Sequence, residues 1–117
     1  FLRQSYAGIS PDGPEHYDVV VAKLAAMHAR EPALTPADLR KLTCRTLVMF
    51  ADDDEVRLEH ATEMYRSLPS AELAVIPGTS HGLLVEKPDL CNRVITEFLT
   101  QDPVQTFAPI RRAARSG

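Results

Sequence analysis

Two side chains suited to proton transfer, Asp54 and His81, each stand just past a short apolar run. The first run, Arg45-Thr46-Leu47-Val48-Met49-Phe50-Ala51, ends in Asp52-Asp53-Asp54. The second, Leu73-Ala74-Val75-Ile76, ends in Pro77-Gly78-Thr79-Ser80-His81. A carboxylate bonded to one ring nitrogen of a histidine fixes its tautomer and steadies the cation formed when the ring takes a proton. Such a pair forms two members of a nucleophilic triad. The same stretch spells Gly78-Thr79-Ser80-His81-Gly82, a Gly-x-Ser-x-Gly string that can carry a nucleophilic serine on a strand-to-helix turn. That role needs an acid and then a histidine downstream, and no histidine follows His81. Gly82-Leu83-Leu84-Val85 is apolar without helical spacing, so no helix is predicted directly after the serine, and Pro88 is the next start signal. We read the string as accidental.

The elements around the pair explain why it should meet. A helical stretch lies between the two apolar runs, giving a strand-helix-strand unit with parallel strands and a right-handed crossover. Asp54 and His81 then share the carboxyl edge of the sheet, where open parallel sheets bind ligands. Leu58, Ala61, Tyr65 and Leu68 mark one face of the crossover helix, which should end at Leu68 because Pro69 lacks an amide. Ser70 and Ala71 lead into the second strand. The last helix starts at Pro88, with Asp89 favourable in its first turn, and sets Cys91, Val94, Ile95 and Phe98 toward the sheet. Upstream, Thr35-Pro36-Ala37-Asp38 reads as a capped start for a short helix carrying Leu39 and Leu42. Pro14 opens a helix whose face holds Tyr17, Val20, Val21, Leu24, Met27 and His28, ending near Glu31-Pro32.

The runs Thr46–Asp54 and Ala71–His81, followed by Glu86-Lys87-Pro88 before a last helix, resemble the C-terminal part of α/β-hydrolase fold enzymes over residues 36 to 100. In that family the acid follows a late strand as Gly-x-x-Asp and the histidine follows the last strand as Gly-x-x-His. Here Ala51 stands at the first glycine, while Gly78-Thr79-Ser80-His81 fits. Spacing from Ala51 selects Asp54 over Asp52 and Asp53. The resemblance implies a partial α/β fold, the last two parallel strands with flanking helices and a preceding lid-type helix. It divides the chain into a lid-derived helical segment (1–34), the C-terminal part of the core (35–101) and a tail (102–117). It further implies Asp54 and His81 as catalytic residues and hydrolysis of an ester-like small molecule, with esters, amides, lactones, epoxides and haloalkanes all open. The family's nucleophile precedes the acid in chain order, and nothing upstream of Asp54 has its pattern.

Several expectations follow for the chain as a whole. A complete core of this family needs roughly twice the present 117 residues, and the start at Phe1 points to truncation, processing or a start outside this sequence. The alternative reading is a catalytically incomplete module acting through self-association, because the first strand would expose an apolar edge without an earlier neighbour. A homodimer, or association with the missing N-terminal portion, is the expected assembly. The net charge of −3 gives no reason to expect nucleic acid, and Arg111-Arg112 with Arg115 reads as part of a frayed end. No apolar run reaches membrane-span length and no secretory signal is visible, so the chain is expected in the cytoplasm. Cys44 and Cys91 are read as buried reduced thiols. The aspartate run offers oxygens to a hard cation such as magnesium, but no further ligands lie nearby in sequence, and no metal or cofactor is expected. His16, His28 and His60 lie in or beside helices and are assigned no chemistry.

Overall fold

The computed structural model describes residues 1–30 and 33–111. The chain divides into two compact units, Phe1–Leu34 and a second beginning at Thr35.

The first unit holds α1 (Leu2–Ile9) and α2 (Tyr17–His28), linked through a 3-10 turn at Pro14–His16. Gly13, at φ 81°, reverses the chain before Pro14 starts the turn. Arg3 pairs with Asp18 and lies 4.7 Å over the Tyr17 ring, which Tyr6 meets edge-on at 5.5 Å. The α1 segment is a helix that the residue spacing does not announce. Along α2 the expected apolar face is not buried within this unit: Val21, Leu24 and Met27 all stay exposed. The expected end near Glu31-Pro32 lies outside the described residues.

The second unit begins with α3 (Pro36–Leu39), whose start is closed as its residues require. The Thr35 hydroxyl accepts from the Asp38 amide, and the Asp38 carboxylate accepts from the Thr35 amide at 3.1 Å. There follow β1 (Thr46–Ala51), α4 (Leu58–Ser67), β2 (Ala71–Ile76), α5 (Leu83–Glu86) and α6 (Pro88–Thr100). The strands are parallel, in register from Thr46 opposite Ala71 to Ala51 opposite Ile76. Alternation along β1 sends Val48 and Phe50 to one face and Met49 and Ala51 to the other. The first face packs with Ala61, Leu68 and Ala71 against Met64 and Tyr65 of α4. The second packs Ala51 and Ile76 against Leu83 of α5 and Cys91 of α6. Each of the larger side chains contributes about 1.5–3 kcal/mol by leaving water. Two parallel strands covered by helices are the α/β arrangement that the sequence predicts.

Local departures have local causes. The β2 strand begins at Ala71, ahead of its most apolar residues, because the ladder continues through Glu72 opposite Leu47. The α4 helix stops at Ser67, and Leu68 is extended at ψ 126°, the geometry a residue takes before proline. Leu58, in the first turn, and Leu42, beyond α3, remain about half exposed. The single-turn α5 forms directly after Ser80-His81-Gly82, contrary to expectation. The Gly82 carbonyl accepts from Val85 and Glu86, and Leu83 anchors the turn in the core. Cys91 is fully buried and donates to the Leu83 carbonyl at 3.3 Å, whereas Cys44 is exposed; both thiols are free.

At the amino edge of the sheet two arginines cap helix ends. Arg45 donates to the carbonyls of Phe98 and Gln101 at the end of α6, lies 4.3 Å over the Phe98 ring and pairs with Glu72. Arg111 donates to the carbonyls of Tyr65 and Leu68 at the end of α4, and to Ala71, lying 4.2 Å over the Tyr65 ring. Both thus satisfy carbonyls left without intrahelical partners. Arg111 is therefore anchored rather than frayed, while Arg112 and Arg115 lie outside the described residues. A cavity of about 600 Å³ opens between these arginines. It sits at the amino edge, away from Asp54 and His81, and its two arginines are already engaged.

Candidate active site

The turn after β1 is built around the Asp54 carboxylate. Its Oδ2 accepts from the Ala51 amide at 3.1 Å, and its Oδ1 accepts from the Val56 amide at 3.0 Å. The second contact, two residues on, is the local turn that aspartate readily closes with its own backbone. The side chain is only 4% exposed. The Val56 amide, the His81 ring and the Ala51 amide together hold its pKa down at about 2.

His81 arrives from the turn after β2. Its Nδ1 lies 2.9 Å from Asp54 Oδ1. An ionised carboxylate only accepts, so Nδ1 carries the hydrogen, and in the neutral ring Nε2 keeps its lone pair. Nε2 lies 3.5 Å from Glu55 Oε1, on a side chain that is itself exposed. The ring is 65% exposed, and its pKa is raised by the hydrogen bond to Asp54 and then by the charges of Glu55 and Asp54. The arrangement can accept a proton at Nε2 from a group placed there and return it, with Asp54 orienting the ring and balancing the cation.

The two turns are tied together beneath the pair. Asp52 Oδ1 accepts from the Thr79 amide at 3.1 Å, and the Asp53 amide donates to the Thr79 carbonyl at 3.2 Å. The Gly78 and Thr79 amides lower the Asp52 pKa. Thr79 is buried, and its hydroxyl donates to the Ile76 carbonyl at 2.7 Å. Gly78 sits at φ 62°, in the left-handed region that glycine enters most easily. Lys87 closes the outside of the turn by donating to the Pro77 carbonyl. Of the three consecutive aspartates, the structure brings Asp54 onto the histidine and uses Asp52 as a brace. The carboxylates of Asp52 and Asp54 are engaged by these N–H donors. Among the described residues no group of three or more metal-ligating side chains converges.

Ser80, the centre of the Gly-x-Ser-x-Gly string, is committed elsewhere: its hydroxyl donates to Glu86 and accepts from the Gly82 amide. Sequence reasoning missed Glu55, Glu86 and the bracing role of Asp52. Glu55 adjoins Asp54 in sequence, a signal that could have been used. Glu86 reaches back to Ser80 only because α5 forms.

The partial α/β sheet with its flanking helices is matched by known proteins. A family model described as the alpha/beta hydrolase family matches residues 1–94, and the chain belongs to that family. The match extends through the first unit, well before residue 36. Among curated proteins, a non-heme chloroperoxidase, CPO-A1 of Kitasatospora aureofaciens, is 40% identical over 68 residues, covering 55% of this chain. The chain spans about a quarter of that relative's length. Among solved structures, the carboxylesterase CesB (YbfK) of Bacillus subtilis aligns with TM-score 0.57 at 19% identity, over 62% of this chain and 26% of that one. MGS-MChE2, an alpha/beta hydrolase enzyme from the metagenome of sediments of the Mar Chica lagoon, Morocco, aligns with TM-score 0.55 at 25% identity, over 84% of this chain and 43% of that one. No helix among the described residues is long and apolar enough to cross a membrane.

Proposed function

We propose that Asp54 and His81 are the acid and base of a nucleophile-histidine-acid triad that hydrolyses an ester-like small molecule, the nucleophile being supplied from outside these 117 residues. The observation that carries this reading is the 2.9 Å contact between His81 Nδ1 and Asp54 Oδ1, which leaves Nε2 for a nucleophile's proton. The nucleophile attacks the carbonyl carbon of the substrate, Nε2 takes its proton, and the same proton is returned to the leaving alcohol. Water then repeats the sequence on the acyl intermediate. Membership of the alpha/beta hydrolase family and the likeness to a carboxylesterase and a chloroperoxidase support the reading. No cofactor or metal enters the mechanism, and we place the chain in the cytoplasm, where free thiols such as the exposed Cys44 are maintained.

The test is hydrolysis of p-nitrophenyl butyrate by the protein in its longest natural form, with the intact mass recorded for the same preparation. His81→Ala is expected to lower turnover on the order of 10³-fold or more. Wild-type turnover retained by His81→Ala would sink the reading.

A second reading rests on the sheet itself, which among the described residues consists of two strands with no third partner. An open strand edge is a template for another chain. Association with a second copy or with an N-terminal portion would cover it, making the chain a catalytically incomplete module. Sedimentation of a stable, well-folded monomer of 12.9 kDa would count against it.

A further inference from the structure

We propose that Glu86 is a positioning residue, whose carboxylate grips Ser80 by both amide and hydroxyl and so fixes the turn that presents His81 to Asp54. The inference rests on the proposed function of that pair.

The acid and the histidine are secured very differently. Asp54 is held within its own turn by two backbone amides. The His81 ring stands largely in solvent, and its direction is set by the backbone that carries it. That backbone is tied on both sides of His81. Before it, the Ser80 amide donates to Glu86 Oε2 at 2.7 Å; after it, the Gly82 amide donates to Ser80 Oγ at 3.3 Å. The Ser80 hydroxyl passes its own hydrogen to Glu86 Oε1 at 2.6 Å. One carboxylate therefore secures both flanking amides, one directly and one through the hydroxyl. Bonds to an ionised acceptor are the strong ones, and the Ser80 hydroxyl and amide hold the Glu86 pKa below the usual carboxylate range. Asp52 and Lys87 bind the turn farther upstream, at Thr79 and Pro77. The charged groups facing the ring are Asp54 and Glu55; Glu86 bonds the amide and hydroxyl of Ser80 and not the ring.

The experiment is an NMR titration of the His81 ring in the full chain, comparing wild type with Glu86→Ala, Glu86→Gln and Asp54→Asn, each checked for native fold by circular dichroism. Glu86 and Ser80 are exposed, so the replacements leave the core untouched. In Glu86→Ala the His81 pKa is expected to fall from its raised value toward the ordinary 6.5. Glu86→Gln, which keeps an oxygen for the Ser80 amide and an N–H for its hydroxyl, is expected to restore most of the elevation. An unchanged pKa in Glu86→Ala, or a Gln variant no better than Ala, would overturn the proposal. If Asp54→Asn lowers the pKa while Glu86→Ala does not, only the role of Glu86 falls. If neither does, the pairing and the proposed function fall with it. Should Glu86→Ala not fold, Ser80→Ala, which removes the hydroxyl relay alone, must lower the His81 pKa for the proposal to stand.

Discussion

Asp54 and His81 are linked to each other, yet the turn after β1 and the turn after β2 hold them by opposite means. In the first, the proposed acid is itself the keystone: Asp54 is nearly buried and ties together the Ala51 and Val56 amides. In the second, other side chains do the fastening, since Asp52, Glu86, Lys87 and the Thr79 hydroxyl bind the backbone while His81 reaches outward. A group that must stay charged can be built into the structure. A ring proposed to exchange protons has to remain accessible, so its support comes from elsewhere.

The sharpest way to break this contrast is at the acid. Asp54→Asn keeps the size but weakens the hold on the histidine tautomer, and ester turnover is expected to fall on the order of 10³-fold or more. Turnover within a few-fold of wild type would mean that His81 is oriented without Asp54. Asp54→Ala should also lower the melting temperature more than His81→Ala does, because it releases two backbone amides as well as the ring.

At the histidine turn the backbone is the target. Gly78→Ala forces a side chain into a left-handed residue and brings Cβ to 3.4 Å from the Lys87 ammonium. A loss of about 1–2 kcal/mol in urea unfolding is expected. Thr79→Val removes a buried donor and leaves the Ile76 carbonyl with only the longer bond from the Asp52 amide at 3.4 Å, with an expected loss of about 1 kcal/mol. A stabilised Gly78→Ala protein would show that the turn carries no conformational demand.

The smallest effect is the pH dependence of stability. The Asp54 pKa is lowered on folding, so its contribution is complete above the ordinary carboxylate value of 3.8 and fades as pH falls toward about 2. The His81 pKa is raised, so its contribution is complete below 6.5 and is lost as pH rises through the folded value. Between these limits the two contributions coexist. Urea midpoints measured across pH should decline on both sides for the wild type, with the acid-side decline reduced in Asp54→Asn and the neutral-side decline reduced in His81→Ala.

The meeting of Asp54 and His81 was legible because topology enforces it: two apolar runs separated by one helix put their exits on the same edge, whatever the details of the turns. The α3 cap was legible for the same kind of reason, since Thr35, Pro36 and Asp38 meet their partners within one turn of chain. The α5 helix was not. Its four residues carry no helical spacing, and it forms because Gly82 offers its carbonyl and Leu83 finds a place in the core. The hold of Glu86 on Ser80 depends on that helix and was hidden with it. Helical spacing did turn Cys91 toward the sheet, where it is sealed against α5, but Cys44 lies between Thr43 and Arg45, outside any helix or strand, and no periodicity there reveals that it faces solvent.

Arg45 and Arg111 grip the ends of α6 and α4 through main-chain oxygens, which every residue carries alike. Their bracing is therefore largely blind to the side chains of the helices they fasten, apart from the two rings beneath them. Substitutions at exposed positions of α4 and α6 leave these main-chain holds in place, so the amino edge serves as a fixed mount for the turns at the opposite edge.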